Sequence, residues 1–335
     1  MNPLKFIFFA IILLAYIPLR AQLDTCLTGD GEYCVPSLKG VPVGKGFSIE
    51  YQRIPNIAIT TSDKTGQFED TKNTIKSITS IEARLKIPVI HRPYLTILTG
   101  LKYTIEEYHF ENSISNPLYQ NLEDKGLKSV GANLTIIKPS KSKHFWILNA
   151  SADFNGDFDN KTSILNKYLK FSISPALGWK VNDHFSYAFG ISYNYRFGKP
   201  LLLPVVAFNK NFNERWGVEA VLPVYIRSRY KYNDGLFWLN TIEIDGASYR
   251  LNQFTAPLSE YTDLYLHRSN VQLTSKLEKR IVGWLWIATE VGLRENLVLN
   301  LSNSNQIRKN VIFDTTMKPA ALFNISLFLS PPKIP

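Results

Sequence analysis

The feature that most constrains the fold is a period-two alternation of large apolar residues with small or polar ones, which recurs along the chain. Between Phe185 and Phe197, every odd position is apolar or aromatic and every even position is small or polar. An extended strand places such alternating residues on opposite faces of a sheet. Further segments repeat the pattern: 81–87, 95–106, 216–227 and 285–294. The sequence therefore predicts an all-β protein.

The lengths of the predicted strands and connections indicate which kind of all-β protein this is. The strands extend over about 9–16 residues, which suits a tilted membrane crossing better than the usual soluble strand. Short turns and long polar loops also alternate, apart from a short connection at 198–200. Strands joined in this way are typical of a single antiparallel transmembrane β-barrel. We predict about 12–14 strands. A hairpin turn at Asp245-Gly246 would favour the larger number.

The N-terminus has the pattern of a secretory signal peptide, with Lys5, an apolar stretch from Phe6 to Ile17 and the small residue Ala21. The apolar stretch is short for a membrane span, although an N-terminal anchor remains an alternative. We expect cleavage after Ala21 and location in the outer membrane of a gram-negative cell. The predicted division is a signal peptide at 1–21, a periplasmic segment at 22–45, the barrel at 46–330 and a tail at 331–335.

The chain has two cysteines, Cys26 and Cys34, both near the expected mature N-terminus. Because an exported protein folds in an oxidising compartment, a disulfide between them is the favoured interpretation. Two free thiols are the alternative. No histidine lies close to them in sequence, so we expect no metal site and no cofactor.

The formal net charge is +10, but lysine and arginine are spread along the chain and never form a basic run of five. This distribution argues against nucleic-acid binding. We instead expect outer-membrane lipid and the barrel-assembly machinery as partners, with a small anionic or amphiphilic solute as a candidate ligand. If the apolar faces contact lipid, a mainly basic set of charged residues lines the lumen: Glu82, Arg84, Lys86, Lys102, Glu106, Arg196, Glu219, Arg227, Arg229, Glu290 and Arg294.

Sequence motifs of enzymes are lacking. The chain has no Gly-x-Ser-x-Gly, no His-Glu-x-x-His and no phosphate-binding glycine loop. Three of the five histidines, His91, His144 and His184, fall in or beside predicted short turns. His109 and His267 remain as candidates for a lipid-hydrolysing Ser–His pair. We predict no catalytic residues and no enzymatic activity.

Three short motifs resemble a family of outer-membrane β-barrels of unknown function. They are the segment Val218–Tyr225 with its Leu222-Pro223, Asp245-Gly246 followed by Tyr249-Arg250, and the Pro331-Pro332 ending. The resemblance extends over most of the mature chain and implies a barrel without a known activity. The segment 324–328 looks like the closing strand of such a barrel, but the tail continues beyond it.

Together these observations predict a pore or binding barrel for small or amphiphilic solutes, with a mildly basic lumen. A structural outer-membrane protein with a closed interior is the main alternative. In that case the inward charges would pair with one another and only stabilise the wall. A lipid-modifying barrel enzyme is the third possibility.

Overall fold

The computed structural model describes residues 44–123, 125–140, 142–158, 168–252, 258–261, 263–305 and 309–330. The predicted signal peptide, the Cys26 and Cys34 pair and the tail at 331–335 lie outside these residues.

The described chain is made almost entirely of antiparallel strands. A short helix, α1 (Pro117–Leu122), interrupts the strand order, and none of the described helices is long and apolar enough to cross a membrane. The strands are β1 (Phe47–Asp63), β2 (Thr71–Arg92), β3 (Leu95–Phe110), β4 (Leu127–Pro139), β5 (His144–Gly156), β6 (Leu169–Asn182), β7 (Phe185–Asn194), β8 (Leu201–Asn211), β9 (Trp216–Leu222), β10 (Tyr225–Asn233), β11 (Leu236–Leu251), β12 (Leu264–Val282), β13 (Leu285–Ser302), β14 (Val311–Met317) and β15 (Ala320–Leu329).

The sheet closes on itself. Each strand pairs with its neighbours in sequence, and the circle is completed because both β14 and β15 lie between β13 and β1. These two segments pair with β1 in one continuous register, so they form a single wall strand interrupted at Lys318-Pro319. Proline has no N–H to donate to a sheet, which explains the interruption. The fold is therefore a closed antiparallel barrel of 14 strands, as the strand pattern predicts.

Short turns lie at one end of the barrel and most of the longer connections at the other. Turns such as Pro93–Tyr94, Asp183–His184 and Gly283–Trp284 mark the periplasmic end of an outer-membrane barrel. The connection between β7 and β8, residues 195–200, is short although it lies at the extracellular end.

Three predicted turn and strand assignments differ from the structure. The predicted strand across 216–227 is instead the hairpin of β9 and β10, whose connection is Pro223–Val224. Val224 is consequently buried in this turn and does not face lipid. Conversely, Asp245-Gly246 lies within the continuous strand β11 and pairs with β12. The strand at 185–197 also ends earlier than predicted, at Asn194.

The alternation reverses its phase at one level of the wall in three neighbouring strands. The reversal occurs at Pro55-Asn56 in β1, near Ser77 in β2 and at Lys318-Pro319 between β14 and β15. Asn56 has a φ of 51°, in the left-handed region that asparagine tolerates better than most residues. As a result, apolar residues that would otherwise point outward face the interior above this level.

The outer face carries an apolar belt. Leu101, Phe189, Val291 and Ile325 belong to different strands, and about half of the surface of each is exposed. Their sequence neighbours on the opposite face are small or polar and more buried. This distribution is the inverse of a soluble protein and fits a wall that contacts hydrocarbon.

The belt predicts a depth-dependent cost for a charged substitution. Val291 lies near the middle of β13, whereas Val89 lies near the periplasmic end of β2, and both are exposed on the wall. We expect Val291→Arg to lower the free energy of unfolding by about 2–4 kcal/mol and Val89→Arg by about 0–1 kcal/mol. Urea titration of barrels refolded in lipid vesicles measures both. Equal losses would contradict the assignment of the belt.

Candidate functional site: the barrel interior

The extracellular half of the interior is filled with apolar side chains, which we call the apolar cap. Helix α1 contributes Leu118, Tyr119 and Leu122, each about 1% exposed. The other members come from strands on all sides and from the connection after β11: Ile54, Ile57, Ile59, Ile75, Ile78, Tyr108, Phe110, Leu127, Tyr249, Leu251, Leu258, Leu264, Leu266, Leu299, Leu301, Ile312, Phe313, Met317, Ala320 and Leu322. The cap therefore closes the barrel at this end.

Local sequence determines where α1 begins. The Asn116 side chain accepts a hydrogen bond from the N–H of Leu118, and Pro117 occupies the first turn of the helix. Both are favourable helix starts. The Tyr119 hydroxyl then donates to Thr61 Oγ1 at 2.7 Å, and Thr61 contacts Thr315 Oγ1 at 2.7 Å. These polar contacts fix the helix against β1 and β14 from within the barrel.

A layer of charged residues lies directly beneath the cap. Arg268 on β12 contacts Glu106 on β3 at 3.3 Å and Asp245 on β11 at 2.9 Å. Because β12 and β3 are not neighbours in the sheet, the contact with Glu106 crosses the interior. The Tyr108 hydroxyl also donates to Glu106 at 2.7 Å. Arg268 and Asp245 were not among the predicted lumen residues, although both occupy the inward phase of their strands.

Ion pairs continue towards the periplasmic end. Among the predicted residues, Arg84 lies 2.5 Å from Glu82, and Arg227 lies 3.0 Å from Glu219. Glu290 pairs with Lys276 at 2.8 Å, a partner that sequence analysis missed. Lys45 and Glu278 form a further pair at 2.8 Å. Much of the charge of the predicted set is therefore balanced inside the barrel.

The predicted residues differ in their access to water. Arg84, Lys86 and Arg196 are exposed, and the Arg84 side chain retains 56% of its surface. Glu82, Lys102, Glu219 and Arg227 are partly buried: their neighbours shield them without excluding solvent. The remaining members are almost fully buried: Glu106, Arg229, Glu290 and Arg294. Arg229 hydrogen-bonds Asn209 and Asn211, so it ties β10 to β8.

The extracellular ends of β11 and β12 are covered on their outer side. The connection at 195–200 packs there, since His267 Nδ1 lies 2.8 Å from the Gly198 carbonyl and Ser269 Oγ lies 3.4 Å from the Arg196 carbonyl. A Cβ at Gly246 would collide with the carbonyl oxygens of Arg196 and Arg268, which explains the glycine. Above this level β11 leaves β10 and pairs with β5 through Arg250 and Gly156.

The histidines considered for catalysis have other partners. Both ring nitrogens of His267 contact backbone carbonyls, with Ser304 O 3.0 Å from Nε2, so neither is available to a serine hydroxyl. His109 Nδ1 lies 4.0 Å from Glu123 Oε1. In the ranges that the structure describes, no group of three His, Cys, Asp or Glu side chains could hold a metal ion.

The bridging role of Arg268 leads to a stability prediction. Arg268→Met would leave Glu106 and Asp245 without their shared cation, and breaking a buried ion pair costs about 3–5 kcal/mol. We expect a loss of this size in the free energy of unfolding, measured by urea titration. Arg280→Met is the matched control, because Arg280 is exposed at the periplasmic end, where it stacks on Trp286. Its loss should stay below about 1 kcal/mol, and similar losses for the two variants would refute the bridge.

Comparison with solved structures identifies other outer-membrane barrels. A Pseudomonas aeruginosa FadL homologue is 10% identical, with a TM-score of 0.40, and the match covers 89% of this chain and 99% of that chain. The Pseudomonas putida toluene transporter TodX is 10% identical, with a TM-score of 0.38 and coverages of 86% and 91%. An outer-membrane channel from Pseudomonas putida F1 is 9% identical, with a TM-score of 0.40 and coverages of 92% and 100%. The similarity is confined to barrel architecture.

A comparison with curated protein sequences gave no match. A family model described as "Domain of unknown function (DUF6268)" matches residues 107–324, which extend from the end of β3 into β15. The described residues form a closed β-barrel with an apolar outer face, and the chain belongs to the DUF6268 family.

Proposed function

We propose that this barrel binds and transports small anionic or amphiphilic solutes across the outer membrane. The observation that carries the proposal is the exposure of basic side chains on the inner face. Arg84 points towards Glu82 inside the barrel yet keeps 56% of its side-chain surface accessible. Lys86, in the same phase of β2, is also exposed. Because these side chains are exposed although the barrel wall surrounds them, the lumen beside them contains water and offers space for a solute.

The electrostatics of this lumen favour anions. Lys86, Lys102 and Arg294 have no carboxylate within salt-bridge distance among the described residues, whereas the acids Glu82, Glu219 and Glu290 are paired. Glu50 and Glu243, which face inward without an ion pair among those residues, offset only part of this charge. Low-dielectric walls focus the field of such an excess of positive charge. Basic side chains along a pore are a general source of anion preference.

The apolar cap supports the alternative of a structural barrel with a closed interior. Its members are at most 9% exposed, so the extracellular end is packed like a protein core. Transport through the barrel requires α1 to move, because Leu118 and Leu122 insert into the cap from a loop. A structural barrel would keep this helix in place permanently.

Planar-bilayer recordings separate the two functions. We expect the unmodified protein to show a small, anion-selective conductance, and Leu118→Asp with Leu122→Asp to raise it severalfold, because buried carboxylates expel α1 from the cap. Leu202→Ala, a change on the exposed outer face of β8, is the control and should leave the current unchanged. Absence of current in both the unmodified and the cap variant would favour the structural barrel.

A charge reversal tests the selectivity. Lys86→Glu should shift the reversal potential in a salt gradient towards that of an unselective pore, because it replaces an exposed inner cation with an anion. Lys279→Glu, at an exposed position near the periplasmic end of β12, should not shift it. Arg229 is unsuitable for this test because its buried contacts hold the wall together. Cation selectivity of the unmodified protein would contradict the proposal.

We also propose that the protein is exported with a signal peptide that is then cleaved, and that the barrel-assembly machinery inserts it into the membrane. Cys26 and Cys34 form a disulfide in the N-terminal segment. N-terminal sequencing of outer-membrane fractions should begin at Gln22, because the cut is expected after Ala21. Thiol labelling of the unreduced mature protein should be negative. An intact Met1 would overturn the first expectation, and strong labelling would overturn the second.

A further inference from the structure

Arg294 is a buried cation for which the described residues provide no partner. It is 4% exposed on the inner phase of β13, opposite Gln272 on β12 and Ala320 on β15. The structure places no hydrogen-bond acceptor or carboxylate against its guanidinium among the described residues, and Nη2 is fully buried. An isolated buried charge is costly, since it loses its hydration without compensation. Such a group calls for an anionic partner.

Other cations lie around the same part of the interior. Arg268 contacts Glu106 on β3 and Asp245 on β11. Lys102 lies four residues to the periplasmic side of Glu106, and Arg294 pairs with Gln272, four residues to the periplasmic side of Arg268, so both cations lie at a similar level below that contact. Neither Lys102 nor Arg294 has a carboxylate within salt-bridge distance in the described part of the chain.

The space beside these cations is accessible to solvent. The Asp245 side chain keeps 40% of its surface exposed although it lies inside the barrel. Asp245 on β11 and Arg294 on β13 flank β12, where Asn270 lies opposite Asp245 and Gln272 opposite Arg294. Asn270 Nδ2 is a further buried donor for which the described residues provide no acceptor. Arg294 and Asn270 are diagonal neighbours, at a spacing of roughly 7–8 Å on one face of the sheet.

We propose that Arg294 and Lys102, together with the amide of Asn270, form an oxyanion-binding site in the lumen beneath the apolar cap, which accepts the carboxylate or phosphate group of a small solute. The planar guanidinium of Arg294 presents two parallel N–H groups that match the oxygens of either group. Lys102 supplies charge from β3. Asp245 and Arg268 balance each other at the edge of the site.

The inference depends on the proposed function only for the entry of the ligand into the lumen, so binding and conduction are measured separately. The binding experiment is isothermal titration calorimetry of the detergent-folded full chain with sodium phosphate and with sodium acetate, against sodium chloride as the reference. We expect saturable binding of at least one oxyanion. Arg294→Gln should weaken it about ten- to a hundredfold, the value of one lost charge-assisted hydrogen bond.

Two further variants keep the test decisive. Lys102→Gln changes a partly exposed side chain, so the barrel should fold normally, and binding should weaken by a smaller factor. Arg280→Gln, at the exposed periplasmic end, is the matched control and should bind like the unmodified protein. Folding of each variant is checked by heat-modifiable electrophoretic mobility.

The outcomes are distinguishable from those of the proposed function. Unmodified protein that conducts anions but gives no saturable heat with phosphate or acetate would overturn the site and leave the transport proposal standing. Binding abolished by Arg294→Gln in a barrel without conductance would support the site and overturn transport. Equal weakening by Arg294→Gln and Arg280→Gln would overturn the site, since it would show a non-specific effect of net charge.

Discussion

Closure of the sheet is the constraint on which the rest of the structure depends. In hydrocarbon an unpaired strand edge leaves a row of N–H and C=O groups without partners, each costing several kcal/mol. The pairing of β1 with the interrupted last strand removes that edge, even across Lys318-Pro319. Once the circle is closed, one phase of every strand faces lipid and the other faces a confined interior. The outer face can then be apolar where it contacts lipid, and the polar and charged side chains of the wall lie in the interior.

The interior has two zones, and a change of phase in part of the wall contributes to the difference between them. Above Pro55-Asn56 and Lys318-Pro319 the inward positions are apolar and pack around α1, whereas below them they are charged. Arg268 lies at the boundary, with its charge satisfied by acids on two strands that are far apart in the sheet. Such a cross-barrel contact fixes the separation of opposite walls at the level where the apolar packing ends. Closure of the extracellular end therefore depends on this local change in some strands, on apolar residues at the ends of strands that keep their phase, such as β11 and β12, and on α1.

The parts of the fold that depend on local periodicity were predictable from the sequence, and the parts that depend on distant contacts were not. Alternation identifies the wall and its lipid face, but it continues unbroken through Pro223–Val224, where the chain turns. Asp245-Gly246 has the composition of a hairpin turn, yet β12 pairs with β11 through it. For the interior, alternation correctly indicates which phase carries charge. It cannot indicate that Arg268 reaches Glu106, because that contact depends on the diameter and shear of the closed barrel.

The distribution of paired and unpaired cations separates architecture from function within the lumen. Arg84, Arg227 and Arg268 each have an acidic neighbour, and the field of such a pair decays within a short distance. Arg294 has none within the part of the chain that the structure describes, although it is more deeply buried than Arg84 or Arg227. A protein selected only for a stable wall would gain by replacing Arg294 with an apolar residue. Leu299 and Leu301, nearer the extracellular end of the same strand, already pack in the apolar cap. Retaining a cation at the base of an apolar cap is instead what recognition of an anionic group requires.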